Sequence, residues 1–231
     1  MNINSQEWQD LVKSGLDSFS VSADRKQIDQ LTLHASEMLA WNKTTNLTSI
    51  KAPAEVAVKH VVDSAAIVNE CTGFHNILDI GTGGGFPGIP LSILLPDLQV
   101  TLVETIRKKV TFLKHVIRSA GLKNIQAIQA RGEELSGEKA FGGHYDAVVC
   151  RAFSGLDNFV NMAVPYLKDS GVLLAMKGRE KDHEKELLKN VETCMASGRK
   201  ITYADLQIDL REYKLPLMDS DRALFIIRIK P

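Results

Sequence analysis

The chain has 231 residues, of which 44% are hydrophobic and 24% charged, and its 28 basic residues are balanced by 28 acidic ones. That size suits one large α/β domain with a small extension and a substantial core. The even charge excludes an overall polycation, although a local basic face can still meet phosphates. No apolar run is long enough to span a bilayer. The opening MNINSQEWQD lacks the basic-then-apolar layout of a secretory signal, so a cytoplasmic location is expected. Cys71, Cys150 and Cys194 are scattered and never form C-x-x-C, so neither a disulfide framework nor a metal site is expected.

In chain order, the first part reads as helix. Trp8, Leu11, Val12 and Leu16 recur at helical spacing, as do Ile28, Leu31, Ala35, Met38 and Leu39. The polar stretch Asn42–Ser49 follows, then a helix starting after Pro53 that carries Val56, Val58, Val61, Val62 and Ile67. From His75 the pattern changes to short apolar runs alternating with amphipathic segments. Strands are expected at 76–80, 99–104, 125–129, 145–150 and 171–176, with helices at 87–95, 106–120 and 155–167. A long charged helix is expected from Arg179 to about Ser197. Residues 201–210 and 223–229 then read as two strands without a crossover helix, most simply antiparallel. These elements predict a Rossmann-like class I methyltransferase fold of the α/β class. Its seven-stranded sheet is mostly parallel and ends in an antiparallel pair. The expected division is an N-terminal helical extension over 1–70 and a cofactor-binding domain over 71–231.

The strongest local signal is Asn76-Ile-Leu-Asp-Ile-Gly-Thr-Gly-Gly-Gly-Phe-Pro-Gly88, a strand running into a glycine cluster and then a helix. Gly83-Gly-Gly85-Phe-Pro-Gly88 fits G-x-G-x-x-G, with Gly81, Gly83 and Gly85 free to bring backbone close to a ligand. Asp79 at the strand end discriminates between ligands. A carboxylate there suits the cationic amino-acid part of S-adenosylmethionine, directly or through water, whereas a pyrophosphate would be repelled. Its alternative role is a helix cap or loop salt bridge. Glu104 ends the second strand, where an acid accepts hydrogen bonds from ribose hydroxyls. The loop 130–134, with Gly132 and Glu133, follows the third strand where methyltransferases border adenine. Arg151 follows the fourth strand and should face the cleft, although position alone leaves a surface ion pair equally open.

The methyl acceptor is narrowed by what is missing. Cys150-Arg-Ala-Phe stands where exocyclic-amine methylation commonly uses Asn/Asp-Pro-Pro-aromatic. Cys150 lacks the Pro-Cys setting of a C5 nucleophile and reads as a small buried residue. No general base stands out. A ring nitrogen such as guanine N7 has no proton to lose and needs alignment more than acid–base chemistry. Basic residues cluster at Arg107-Lys-Lys109 with Lys114, His115 and Arg118, at Lys177–Lys181 and at Arg199-Lys200. The 177–181 loop is favoured for RNA contact because it lies at a strand end beside the cleft.

These residues resemble the glucose-inhibited division protein B family, the bacterial small-subunit ribosomal RNA methyltransferase G, over almost the whole chain. The likeness rests on Trp41-Asn42-Lys43, Asn46-Leu47-Thr48, His60 with Asp63-Ser64, and above all on Asp79 to Leu91 with its Gly-Phe-Pro-Gly-Ile-Pro run. It continues through Lys108-Lys109, Phe112-Leu113, Arg131-Gly-Glu133, Arg151-Ala152, Lys177-Gly178 and Arg222. The resemblance implies S-adenosylmethionine contacts at Gly81, Phe86, Gly132, Glu133 and Arg151, and N7 methylation of a guanine in 16S ribosomal RNA or the small subunit. Gly132 stands where alanine is common, a small-for-small change expected to leave a backbone contact intact, and Cys150 stands where serine is common. Asn46, Arg151 and Lys177 are the candidates for orienting the base. No membrane partner is expected, and nothing demands a dimer. Two rival readings are a methyltransferase for another RNA or for a small molecule, of which only the small-molecule case predicts an enclosed pocket, and a non-catalytic NAD- or nucleotide-binding module.

Overall fold

The computed structural model describes residues 1–135, 140–151, 155–178, 188–218 and 220–231, without the side chains of Glu133 and Lys189. A seven-stranded sheet runs β3 (Ile125–Gln129), β2 (Gln99–Glu104), β1 (Asn76–Ile80), β4 (Tyr145–Arg151), β5 (Leu167–Gly178), β9 (Asp221–Ile229), β8 (Leu206–Lys214). The first five are parallel, and β9 pairs antiparallel with both β5 and β8. The expected parallel sheet with an antiparallel terminal pair is therefore present, and β1, β2 and β3 have the predicted bounds.

Alternation along each strand sorts side chains to two faces. Ile77, Val100, Leu102, Val149, Leu174, Met176 and Ile226 face the first core. There they meet α1 (Gln6–Asp17), α2 (Arg25–Thr45), α6 (Gly88–Leu94) and α7 (Arg107–Ser119). Leu78, Ile80, Val148, Cys150 and Leu173 face a second core built on α9 (Leu156–Ala163). The N-terminal helices thus share a core with the sheet. Ser5 caps α1, and Asp24 with Gln27 forms a capping box on α2. Trp8 Nε1 donates to Pro53 O at 2.9 Å, tying α1 to the next helical stretch.

That stretch begins as α3 (Pro53–Val56), winds as a π-helix over Ala57–Val62, and resumes as α4 (Asp63–Ala65) before α5 (Val68–Cys71). The expected helix is present, with a π segment that the periodicity did not reveal. The region after β5 departs more. Residues 179–187 of the expected charged helix lie outside the described residues. Its remainder is not α-helical: after one 3-10 turn at Leu188–Asn190, β6 (Glu192–Cys194) pairs with β7 (Lys200–Thr202). Val191, Met195 and Ile201 are buried in the second core, and this packing outweighs local helix propensity. The single strand expected at 201–210 is correspondingly two, β7 and β8.

Candidate active site

Gly81, Gly83 and Gly85 follow β1, each at positive φ. A Cβ on Gly81 would find no atom within 4 Å, and one on Gly83 only Gly81 O at 3.9 Å. The loop therefore keeps an open side, as a close-fitting ligand cradle requires. Two carboxylates stand at its base. Glu104, buried at the end of β2, accepts from Gly83 N at 3.1 Å and Ile106 N at 2.9 Å. Asp79 is fully buried; its Oδ2 accepts from Thr82 Oγ1 at 2.7 Å and from Gly88 N at 2.8 Å. Part of its role is thus the helix-cap alternative, at the start of α6. Asp79 Oδ1 is buried with no hydrogen-bond partner among the described residues. Burial raises the Asp79 pKa to about 6, against the bonds from Thr82 and Gly88 and the field of Arg151. An orphaned acceptor beside an open glycine loop fits the ammonium group of S-adenosylmethionine.

Phe86 closes the loop, but its ring is buried against two imidazoles. It stacks on His34 at 4.5 Å and on His60 at 4.8 Å. His34 Nε2 donates to Gly84 O at 2.7 Å, while Nδ1 is bare among the described residues, so this ring is neutral. Burial lowers its pKa to about 4. Any ligand contact by Phe86 therefore falls to its backbone.

Gly132 opens α8 (Gly132–Leu135), and its carbonyl accepts from the Tyr166 hydroxyl. A Cβ here would collide with Met162 Sδ and reach Ile80 Cγ2 at 3.2 Å. An alanine here would push aside the flexible end of the Met162 side chain, while the bond from the Tyr166 hydroxyl needs only the backbone carbonyl. The Glu133 side chain lies outside the described residues.

Arg151 ends β4. Alternation points it to the face of Val149, toward the N-terminal helices and away from α9. Its guanidinium donates to Lys59 O (2.9 Å) and His60 Nδ1 (2.8 Å), lies 3.7 Å from Asp63 Oδ2, and sits 5.2 Å from the Phe86 ring centre. Buried Asp63 also accepts from Tyr213 Oη at 2.8 Å and lies 3.6 Å from Arg222 Nε. Burial raises the Asp63 pKa, while Arg151, Tyr213 and Arg222 oppose that rise. Around this cluster an open hollow of about 290 Å³ is lined by Ile50, Lys59, His60, Asp63, Arg151, Lys177 and Arg222, among others.

Of the base-orienting candidates, Arg151 and Lys177 meet at this hollow. Asn46 does not line it: it is exposed, and its φ of 51° makes it the left-handed C-cap of α2. Asn42 organises that loop instead, accepting from Leu47 N and Thr48 N and donating to Thr48 O. Asn42, Thr48, His60, Asp63, Tyr213 and Arg222 had no assigned role from sequence. The usable signal was His60 and Asp63 three residues apart within a valine-rich helix, since polar side chains on an apolar face need partners.

The family model described as GidB, rRNA small subunit methyltransferase G, matches residues 27–209. "Ribosomal RNA small subunit methyltransferase G" of Geobacter metallireducens is 42% identical over 223 residues, 96% of each chain. The chain belongs to the rRNA small subunit methyltransferase G family. Its Francisella tularensis relative of that name (strain SCHU S4) is 35% identical over 96% of this chain and 98% of its own length. Membership excludes the non-catalytic rival: this is a methyltransferase family. The fold agrees with a SAM-dependent methyltransferase from Aquifex aeolicus, at TM-score 0.55 and 13% identity, covering 80% of this chain and 97% of that one. It also agrees with Pyrococcus horikoshii TYW2 in complex with MeSAdo, at TM-score 0.56 and 12% identity, covering 74% and 62%. No helix among the described residues is long and apolar enough to cross a membrane.

Proposed function

We propose that the protein methylates N7 of a guanine in 16S ribosomal RNA, using S-adenosylmethionine. The family name supports the RNA class. The observation that carries the atom is the state of the hollow's polar groups. Both nitrogens of His60 are hydrogen-bonded, one of them to a guanidinium. Asp63 is engaged by Tyr213, Arg151 and Arg222. Lys59, Lys177, Arg151 and Arg222 line the hollow with hydrogen-bond donors. A nucleophile whose lone pair is already free suits a cationic hollow that has no available base among the described residues. When bound, S-adenosylmethionine supplies an electrophilic methyl group.

Residues 71–231 supply the cofactor cradle, with 1–70 as the extension packed on it. Asp79 and the backbone of Gly81, Gly83 and Gly85 hold the amino-acid end, Glu104 the ribose, and Gly132 with Glu133 border the adenine. Arg151 and Lys177 present positive charge to the RNA backbone or to guanine O6. An open hollow favours a macromolecular substrate over the enclosed pocket that a small molecule would need. The reading extends to a monomer acting in the cytoplasm, where its substrate is made.

The test is methyl transfer from labelled S-adenosylmethionine to small-subunit ribosomal RNA from a strain lacking this gene, with wild-type RNA as control. Label on one guanine of the mutant RNA alone, released by chemistry selective for N7-methylguanine, is the expected result. No label on any form of that RNA, despite tight cofactor binding, would overturn the substrate.

A further inference from the structure

His60 bonds to two distant parts of the chain in opposite directions. Its Nδ1 lies 2.8 Å from Arg151 Nη2, and its Nε2 lies 2.8 Å from Thr48 Oγ1. A guanidinium nitrogen only donates, so Nδ1 is an acceptor and carries no proton. Nε2 therefore holds the ring's one N–H and donates it to Thr48. Thr48 Oγ1 also accepts from Ile50 N at 3.0 Å, and Asn42 grips the Thr48 backbone. A continuous run of hydrogen bonds thus links the 46–50 loop to the end of β4. Its members Ile50, His60 and Arg151 all line the hollow. The surroundings reinforce this state: burial first, then the charge of Arg151, lower the His60 pKa to about 3.

We infer that His60 is a positioning residue for methyl transfer: protonated at Nε2 alone, it locks the 46–50 loop to Arg151 so that an entering base meets both at one fixed separation. The inference rests on the proposed function for its substrate and on geometry for its mechanism. With both nitrogens committed, His60 is not a base; it acts through Arg151 and Thr48. Arg151 cannot perform this alone, because its other bond, to Lys59 O, fixes it to the π segment and not to the loop.

Two measurements on the full chain test it. Nitrogen NMR of the labelled imidazole at neutral pH should show a bare Nδ1 and a protonated Nε2; the other tautomer, or a doubly protonated ring, overturns the inference. Kinetics then divide the two bonds. His60→Asn keeps an acceptor for Arg151 but does not reach Thr48. His60→Gln offers a donor to Thr48 but releases Arg151. His60→Ala loses both, and its kcat is expected to fall about 100-fold, the scale of a misplaced reacting group. KM for RNA should change little, and the kcat values of the Asn and Gln variants should fall between. Thr48→Val should lower the kcat of His60→Asn by less than it lowers that of the wild type, because the bond to His60 is already gone and only the bond from Ile50 N remains to be lost. Val61→Ala, a buried neighbour outside these bonds, controls for stability alone. If its kcat falls as far as that of His60→Ala at equal loss of Tm, or if His60→Ala retains full kcat, positioning is refuted. If the wild type methylates a different acceptor, the substrate reading falls, and the same variants assayed on that acceptor still decide the role of His60.

Discussion

At the glycine loop the protein presents backbone: open-sided glycines, N–H groups answered by Asp79 and Glu104, and one buried oxygen left over. At the Arg151 cluster it presents side chains, bonded to one another and drawn from the 46–50 loop, the π segment, α4, β4, β8 and β9. The first region leaves room and an unmet acceptor; the second satisfies its charges internally and leaves a positive surface over the hollow. A substitution in the loop should therefore register mainly in ligand affinity. One in the cluster should register mainly in stability or turnover.

Removing the centre of the cluster gives the largest expected effect. Asp63→Ala strands Arg151, Arg222 and the Tyr213 hydroxyl and should cost about 3–5 kcal/mol in urea unfolding, the penalty for breaking a buried ion pair. Asp63→Asn should recover part of it, since an amide oxygen still accepts from Tyr213. A loss below about 1 kcal/mol would reduce the cluster to ordinary surface pairing and erase the contrast. Gly81→Ala sharpens the other side. Its φ of 71° makes alanine cost about 1–2 kcal/mol in folding. The added methyl enters the open side of the cradle, so affinity for S-adenosylhomocysteine should fall by more than the folding loss. Equal losses by titration calorimetry and unfolding would mean that the glycine serves the turn alone.

The last expected effect is in pH dependence. His34 and His60 have pKa values lowered to about 4 and about 3. Below pH 6.5 the unfolded chain takes up protons that the folded one refuses. Stability present above that pH is therefore lost as pH falls toward those values. Asp79, raised from 3.8 to about 6, acts the other way. Between those values the folded protein keeps a proton that the unfolded chain has released, so its contribution declines as pH rises. Asp79→Asn should therefore steepen acid destabilisation between pH 4 and 6, by at most about 1.4 kcal/mol per pH unit. An unchanged slope would show that Asp79 is not protonated in that window.

The contrast also explains what the sequence could disclose. β1 through the glycine loop is one contiguous stretch, and strand bounds, glycines and Asp79 were all readable from it by local rules. Arg151 was readable as a position but not as a partner, because Lys59 and His60 lie some ninety residues earlier and Tyr213 lies 150 residues from Asp63. Asn46 misled because a polar residue in a polar loop gives no sign of whether it serves a ligand or a backbone turn. Its left-handed φ settles that it serves at least the turn. The charged helix failed at its C-terminal end for a tertiary reason, although Gly198, with a φ of 85° in the β6–β7 turn, was a local sign against it.

The aromatic stack carries a lesson for anyone seeking a smaller catalyst. Phe86 belongs to the cofactor loop, but the rings beside it, His34 and His60, come from the first seventy residues. A chain trimmed to begin at Cys71 would keep every strand of the sheet and still lose both imidazoles stacked on that phenyl ring. The Rossmann-like portion is thus not a transplantable module: its donor loop borrows a wall from the segment that precedes it, and the two must be inherited, exchanged or redesigned together.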